Sequence, residues 1–269
     1  MQVLLGFGLS LGVSGWALSR GSLTRSGAIA ATCVGAAIFA GGGPAWFGVL
    51  LAFFFTSTLL AKVGKARKAS IKAAFEKGDR RDSYQVLSNG GVAALCALGM
   101  ALSPHAAWAG AFLGALGTAN ADTWATELGV LSRSQPYSVV TFKPVPRGTS
   151  GAVSVEGLLA TAAGALLVGL LASLQPAAFG LARAYAVAIA GAAGVGGSLV
   201  DSLLGASLQR QYHCDACGTG SESARHLCGR EARPVRGVAG FNNDVVNLLA
   251  TAAGALIAAL ASLAASAAV

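Results

Sequence analysis

Leu158-Leu-Ala-Thr-Ala-Ala-Gly-Ala-Leu166 occurs twice in this chain: the same nine letters return as Leu248 to Leu256, ninety positions later. Each copy lies in a longer apolar run, roughly residues 152–174 and 241–267. About 20 mostly apolar residues suffice for a transmembrane helix. Small residues in such numbers let helices approach closely in lipid, where packing replaces the hydrophobic drive. Ahead of each copy lies a polar loop, and ahead of each loop an apolar run ends in an Asp-bearing segment. These segments are Thr118-Ala-Asn-Ala-Asp122 and Gly197-Ser-Leu-Val-Asp201. Nine identical residues in matching context read as a duplication. Both copies start from the same side of the membrane, so the repeat is parallel, an arrangement suited to building one site from two similar halves.

Working outward, further apolar runs fall at roughly 2–18, 27–43, 45–61, 86–103, 106–121 and 180–207, which makes eight predicted spans. The chain is 54% hydrophobic and 11% charged, with mean hydropathy +0.64. A soluble domain carries about 25% charged residues, so a water-soluble particle of this size is excluded. The predicted fold class is all-α: a polytopic membrane helical bundle forming one domain over 1–269. A basic loop at 62–85 and a Cys/His loop at 208–240 interrupt it.

The net charge of +8 does not indicate nucleic-acid binding, because placement explains it. With eight spans, 18 of the 19 Lys and Arg residues fall in the first, third, fifth and seventh loops, and only Arg183 falls elsewhere. The positive-inside rule assigns those loops to the cytoplasm or its topological equivalent, with both termini opposite. The first run lacks the basic start of a signal peptide, and no organellar transit peptide is visible. That pattern points to a bacterial membrane protein or one already trimmed. Lys62 to Asp82 reads as an anchor on anionic lipid head groups that extends the third helix out of the membrane.

Carboxylates at span ends require explanation, since ionisable groups are expensive near the bilayer centre. Outside the basic and Cys/His loops there are five: Asp122, Glu127, Glu156, Asp201 and Asp244. Asp122 and Glu127 are five apart and diverge by roughly 140° on an unbroken helix. Asn120, Thr123 and Thr126 add oxygen ligands nearby. Such a set suits Mg²⁺, which favours a few carboxylates plus substrate phosphates; the alternative is a group of surface carboxylates near the head groups. Lys143, Arg147 and the turn Gly148-Thr-Ser-Gly151 precede a helix start at Ser154. Cations, a glycine turn and free helix N–H groups together make a phosphate cradle, although Ser154 or Thr149 also reads as an ordinary N-cap. In the second unit Asn242, Asn243, Asp244 and Asn247 open the last span. Capping explains Asn242 and Asn243 as readily as binding does, but Asn247 lies a full turn inside.

Tyr212-His-Cys-Asp-Ala-Cys217 and Arg225-His-Leu-Cys228 offer Cys214, Cys217, His226 and Cys228 as a structural Zn²⁺ set. A thiol pair, or His226 acting with Arg225 on a phosphate, stays open beside it.

Four segments carry a resemblance. Ala121-Asp-Thr-Trp-Ala-Thr-Glu-Leu-Gly129, Lys143-Pro-Val-Pro-Arg-Gly-Thr-Ser-Gly-Ala-Val-Ser154, Val200-Asp-Ser-Leu-Leu-Gly-Ala-Ser-Leu-Gln209 and Asn242-Asn-Asp-Val-Val-Asn247 occur in the order found in the transmembrane protein 19 family. The chain resembles that family, long carried as a domain of unknown function, over essentially its whole length. The family includes phytyl-phosphate kinases of vitamin E synthesis, in bacterial, thylakoid or plastid membranes. The resemblance implies phosphoryl transfer from a nucleoside triphosphate, with CTP favoured, onto a prenyl monophosphate lodged among membrane lipids. It implies Mg²⁺ on Asp122, Glu127 and Asp201 or Asp244, and phosphates on Lys143, Arg147 and the Gly148–Gly151 backbone. Asn243 and Asn247 would orient nucleotide or metal. A transporter of a phosphorylated lipid or small anion is the alternative, and it expects polar groups along a path across the membrane. A non-catalytic scaffold would need no paired carboxylates at all.

Overall fold

The computed structural model describes residues 1–64, 68, 80–226 and 228–267. Among these residues the helices are α1 (Gln2–Ser19), α2 (Arg25–Lys62), α3 (Ser83–Leu102), α4 (Ala106–Gly129), α5 (Val155–Ser173), the short α6 (Pro176–Phe179), α7 (Arg183–Ser207) and α8 (Asn243–Ala267). Six of them (α1, α2, α3, α5, α7 and α8) are long and apolar enough to cross a membrane.

Two further features bring the count of passes to eight. A straight 38-residue α2 would run about 57 Å, nearly twice the hydrocarbon thickness. It does not run straight, because Gly43 takes φ 73° and ψ −167°, a backbone state open to glycine, and Pro44 starts a new helical leg. The Phe39 and Phe47 rings consequently lie 5.6 Å apart, whereas eight residues on a continuous helix span about 12 Å. The predicted break between 43 and 45 is therefore a hairpin of two legs. α4 supplies the remaining pass. It packs against α2, α3, α5, α7 and α8, and Ala109 to Ala121 are buried on every side.

The bundle has two distinct ends. Gln2 donates to the Phe39 carbonyl at 3.2 Å, and the Trp46 indole donates to the Ala178 carbonyl at 3.0 Å. Trp46 is fully buried and stacks on Phe179, closing that end. At the opposite end Leu23 bridges Arg81, joining the loop after α1 to the residues before α3. Every described Lys and Arg except Arg183 lies at this second end, as the charge pattern predicts.

Two boundaries differ from the sequence reading. The third span stops at Lys62, where Val63 turns to ψ 128°, so the helix is not carried straight on into the basic segment. Most of that segment falls outside the described residues. The fifth span was expected to end near 121 but continues to Gly129. Its polar residues Asp122, Thr123, Thr126 and Glu127 line a cavity in the protein, so low hydropathy does not end the helix. The loops at the charged end carry the only strands among the described residues. β1 (Tyr137–Ser138) pairs antiparallel with β2 (Ala152–Val153), and β3 (Gln211–Cys214) lies between β4 (Thr219–Ser221) and β5 (Arg233–Arg236).

The duplicated nonapeptide has a packing reason. Gly164 in α5 and Gly254 in α8, the same letter of each copy, both seat against the backbone of α4. A β-carbon on Gly164 would lie 3.0 Å from the Ala121 Cα, and one on Gly254 would lie 2.7 Å from the Gly114 carbonyl.

Candidate functional site

The site is built where α4 and α7 cross. Gly117 and Gly194 meet backbone to backbone, and a β-carbon at Gly197 would collide with Thr118. Thr118 uses its hydroxyl on the Gly114 carbonyl at 2.9 Å, which keeps it satisfied in this dry crossing. Four residues beyond Thr118 and Gly197, one turn along the same faces, stand Asp122 and Asp201. The two Asp-bearing segments of the sequence thus meet, and the Asp122 and Asp201 carboxyl groups line one cavity close enough to interact electrostatically. Two carboxyls stay this close only by sharing a proton or a cation. Asp201 Oδ2 is buried and has no partner among the described residues. That orphaned oxygen and the carboxyl of Asp122, with the amide of Asn247 on the lining of the same cavity, offer hard oxygens of the kind Mg²⁺ takes.

Above the pair opens a cavity of about 300 Å³. The Gly148–Gly151 loop forms one wall. Gly151 sits at φ 75° with the Ser202 carbonyl and Ala206 against it, so the loop is pressed onto the end of α7. Ser150 donates to Gln209 Oε1 at 2.6 Å, and Gln209 donates to Glu222 at 2.9 Å. Ser154 is the N-cap of α5, accepting from the Gly157 N–H at 3.1 Å while also facing the cavity. Arg147 lines the cavity and donates to the Arg133 carbonyl at 3.0 Å. Glu156 instead holds the preceding turn, accepting from the Ser132 and Ser134 hydroxyls and the Arg133 and Ser134 N–H groups. Asn243 and Asn247 of α8 line the opposite wall, while Asn242 caps that helix by accepting from the Val245 N–H at 3.0 Å.

The 140° divergence of Asp122 and Glu127 is realised on an unbroken helix. Asp122 faces α7, while Glu127 faces Lys68, whose ammonium donates to it at 2.6 Å. Arg81 completes this side. Its guanidinium lies 5.7 Å from the Phe53 ring centre. Burial draws its pKa down, with the Glu127 charge opposing that shift.

The structure brings Asp122, Thr123, Glu127, Arg147, Gly148, Thr149, Ser150, Gly151, Ser154, Asp201, Asn243 and Asn247 to this one cavity. It leaves other candidates outside. Asn120 is fully buried one turn deeper, donating to the Gly164 carbonyl at 2.7 Å between α4 and α5. Lys143 is exposed on the loop, and Arg225 is exposed with its Nε on the Gly229 carbonyl. His226 turns toward the cysteines, and Asp244 is buried in the first turn of α8 away from the lining. Sequence reasoning missed Arg81, Gln85 and Asn89, which repeat every fourth residue along one face, a spacing legible in hindsight. It also missed Ser198 and Glu222.

Arg81, Gln85, Asn89 and Thr123 are shared with a second cavity of about 90 Å³. This one is apolar. It runs between α1, both legs of α2 and α3, past Leu50, Phe53, Phe54 and Val86. A polar chamber at the charged end thus lies beside an apolar groove inside the bundle, and these four residues line both.

Away from this cavity, Cys214, Cys217, His226 and Cys228 bring their ligand atoms within 4.8 Å of one another. The His226 side chain draws the Cys228 thiol down to about 6, and hydrogen bonding to Cys228 pushes Cys217 up to about 11.

The architecture is that of a polytopic helical membrane protein with a carboxylate-lined chamber at one end. The model of the integral membrane protein family DUF92 matches residues 8–255, and the chain belongs to that family. Protein PGR of Arabidopsis thaliana is 32% identical over 90% of both chains. Protein VTE6, chloroplastic, of the same plant is 30% identical over 88% of this chain and 65% of that protein. An uncharacterized membrane protein of Methanocaldococcus jannaschii is 32% identical over 79% of this chain and 74% of its own length. No solved structure matches.

Proposed function

We propose that this protein is a membrane prenyl-monophosphate kinase, transferring the terminal phosphoryl group of a nucleoside triphosphate, CTP by family resemblance, to form a prenyl diphosphate. The observation that carries the reading is the adjacency of the carboxylate-lined chamber and the apolar groove, which share Arg81, Gln85, Asn89 and Thr123. An acceptor with a phosphate head and a hydrocarbon tail matches both halves at once. The groove is short, so it takes the part of the tail next to the phosphate and leaves the rest in the bilayer. Similarity to VTE6, a chloroplastic protein, and to the family that includes phytyl-phosphate kinases supports the same acceptor class.

In this reading an oxygen of the prenyl phosphate attacks the terminal phosphorus, the bond to the bridging oxygen breaks, and the nucleoside diphosphate leaves. No general base is needed, because the attacking oxygen already carries negative charge. Catalysis of such transfers rests on positioning and charge neutralisation. Arg81 holds the acceptor phosphate at the mouth of the groove. Arg147 and the N–H groups of Gly148–Gly151 hold the nucleotide phosphates. Asp122 and Asp201 would hold Mg²⁺, which supplies neutralisation of the phosphoryl charge when bound. Asn243 and Asn247 orient the nucleotide from the facing wall. The Lys and Arg residues around the chamber direct it to the cytoplasm, or to the stroma of a plastid, by the positive-inside rule. The transport alternative needs a route onward from the chamber, whereas below the two aspartates α4 and α7 touch backbone to backbone at Gly117 and Gly194.

The test is transfer from γ-labelled CTP or ATP to phytyl and geranylgeranyl monophosphate by protein purified in nanodiscs. The expected product is labelled prenyl diphosphate, formed only with magnesium and in preference to product from a water-soluble alkyl phosphate. Absence of product with every nucleotide and prenyl phosphate, from protein of full helical content, would refute the kinase.

A further inference from the structure

Cys214, Cys217, His226 and Cys228 converge beside the β3–β4 hairpin, outside the chamber. Cys214 ends β3, and a tight turn follows it, with the Cys217 and Gly218 N–H groups donating to the Cys214 carbonyl at 3.2 and 2.8 Å. The chain returns after β4 and places His226 and Cys228 over that turn. Cys214 is fully buried and His226 is 8% exposed, and neither belongs to an apolar core cluster among the described residues. The Cys214 and Cys228 sulfurs are 3.7 Å apart, and His226 Nδ1 lies 3.2 Å from the Cys228 sulfur.

Tetrahedral zinc with Zn–S near 2.3 Å separates two thiolate sulfurs by about 3.8 Å, whereas a disulfide holds them at about 2.05 Å. All three cysteines are free, and their odd number with a convergent imidazole is not a disulfide arrangement. The other ring nitrogen of His226 lies 3.4 Å from the Thr219 hydroxyl, an outer partner of the kind that fixes a ligating imidazole. Four protein ligands with none left open define a structural site rather than a catalytic one.

The hairpin also leads into the chamber. Glu222 follows β4 directly and lines the cavity, where Gln209 donates to it at 2.9 Å. Gln209 is 1% exposed and accepts from Ser150 of the glycine loop at 2.6 Å. The sheet beneath is only three short strands, and the exposed β5 contributes no buried side chain. Such a sheet is too small to hold its register by apolar burial.

We propose that Cys214, Cys217, His226 and Cys228 bind one Zn²⁺, and that this ion clamps the β3–β4 hairpin so that Glu222 and Gln209 close the chamber wall. The proposal is independent of the kinase reading, because its readouts do not involve catalysis.

Elemental analysis of the full chain purified in detergent is expected to give zinc at one ion per protein. Cobalt exchanged into the site is expected to give the intense visible bands of tetrahedral coordination together with a thiolate charge-transfer band. Cys228→Ser is expected to lose the metal, while His226→Cys retains zinc and gives the cobalt spectrum of an all-thiolate site. Removing zinc with a chelator is expected to speed tryptic cleavage after the exposed Arg225 and Arg230 while the helices stay intact. Folded wild-type protein with neither zinc nor a cobalt–thiolate band would overturn the metal site. Full zinc occupancy with tryptic cleavage unchanged on its removal would overturn the clamping role.

Discussion

Asp201→Asn is expected to lower phosphoryl transfer by about 10³-fold or more while leaving the bundle folded. The substitution keeps shape and volume and removes one of the two carboxyls that meet above the α4–α7 crossing. Charge neutralisation is the main contribution a protein makes to such a transfer, and losing one neutralising group typically costs 10² to 10⁵ in rate, as a rough range. The stability consequence has the opposite sign. Without metal the two partly buried carboxyls face each other beside the chamber, and like charges at such a place are unfavourable. An amide facing Asp122 relieves this, so the metal-free variant should unfold at the same temperature as wild type or higher. The stabilisation that magnesium and nucleotide give to wild type should vanish. Thermal unfolding in detergent, with and without magnesium and nucleotide, checks both parts beside the transfer assay. A variant that keeps its activity, or that loses activity by failing to fold, contradicts the assignment.

The second large effect is structural. Gly197→Leu places a side chain where Thr118 already stands, at a crossing whose remaining contacts are backbone against backbone. Overpacking of this kind costs about 3 kcal/mol or more, because α4 lies at the centre of the bundle and cannot move aside. The variant is expected to yield little monodisperse protein in size-exclusion chromatography in detergent. Gly91→Leu adds the same side chain where nothing approaches within 4 Å, and it is expected to behave as wild type. Equal loss in both variants would mean that the crossing is not the sensitive point.

Much of this arrangement can be read from the letters. Two Asp-bearing segments, each followed by the same nonapeptide, place matching acids at matching depth, and one-sided Lys and Arg fix the even number of passes. The hairpin at Gly43 is legible too, since Gly41-Gly-Gly-Pro44 interrupts an apolar stretch too long for one crossing. What the letters hide is which polar residues are spent on packing. Asn120 stands in the same motif as Asp122, but two residues rotate a helical position by about 200°, which turns its amide away from the chamber toward Gly164. Lys143 and Arg147 share a loop, yet the turn at Pro144–Pro146 leaves Lys143 in solvent and brings Arg147 to the cavity. Arg81 was absorbed into a basic run whose simplest meaning is lipid contact. Its place between chamber and groove depends on packing against Phe53, which no local pattern reveals.

The central claim is that the two halves of the repeat build one divalent-metal site from Asp122 and Asp201. Manganese binding, followed by electron paramagnetic resonance on protein in nanodiscs, tests it most directly. The expected result is one bound ion per chain, tightened by nucleoside triphosphate and lost in both Asp122→Asn and Asp201→Asn. Manganese binding that survives both substitutions unchanged would contradict the claim.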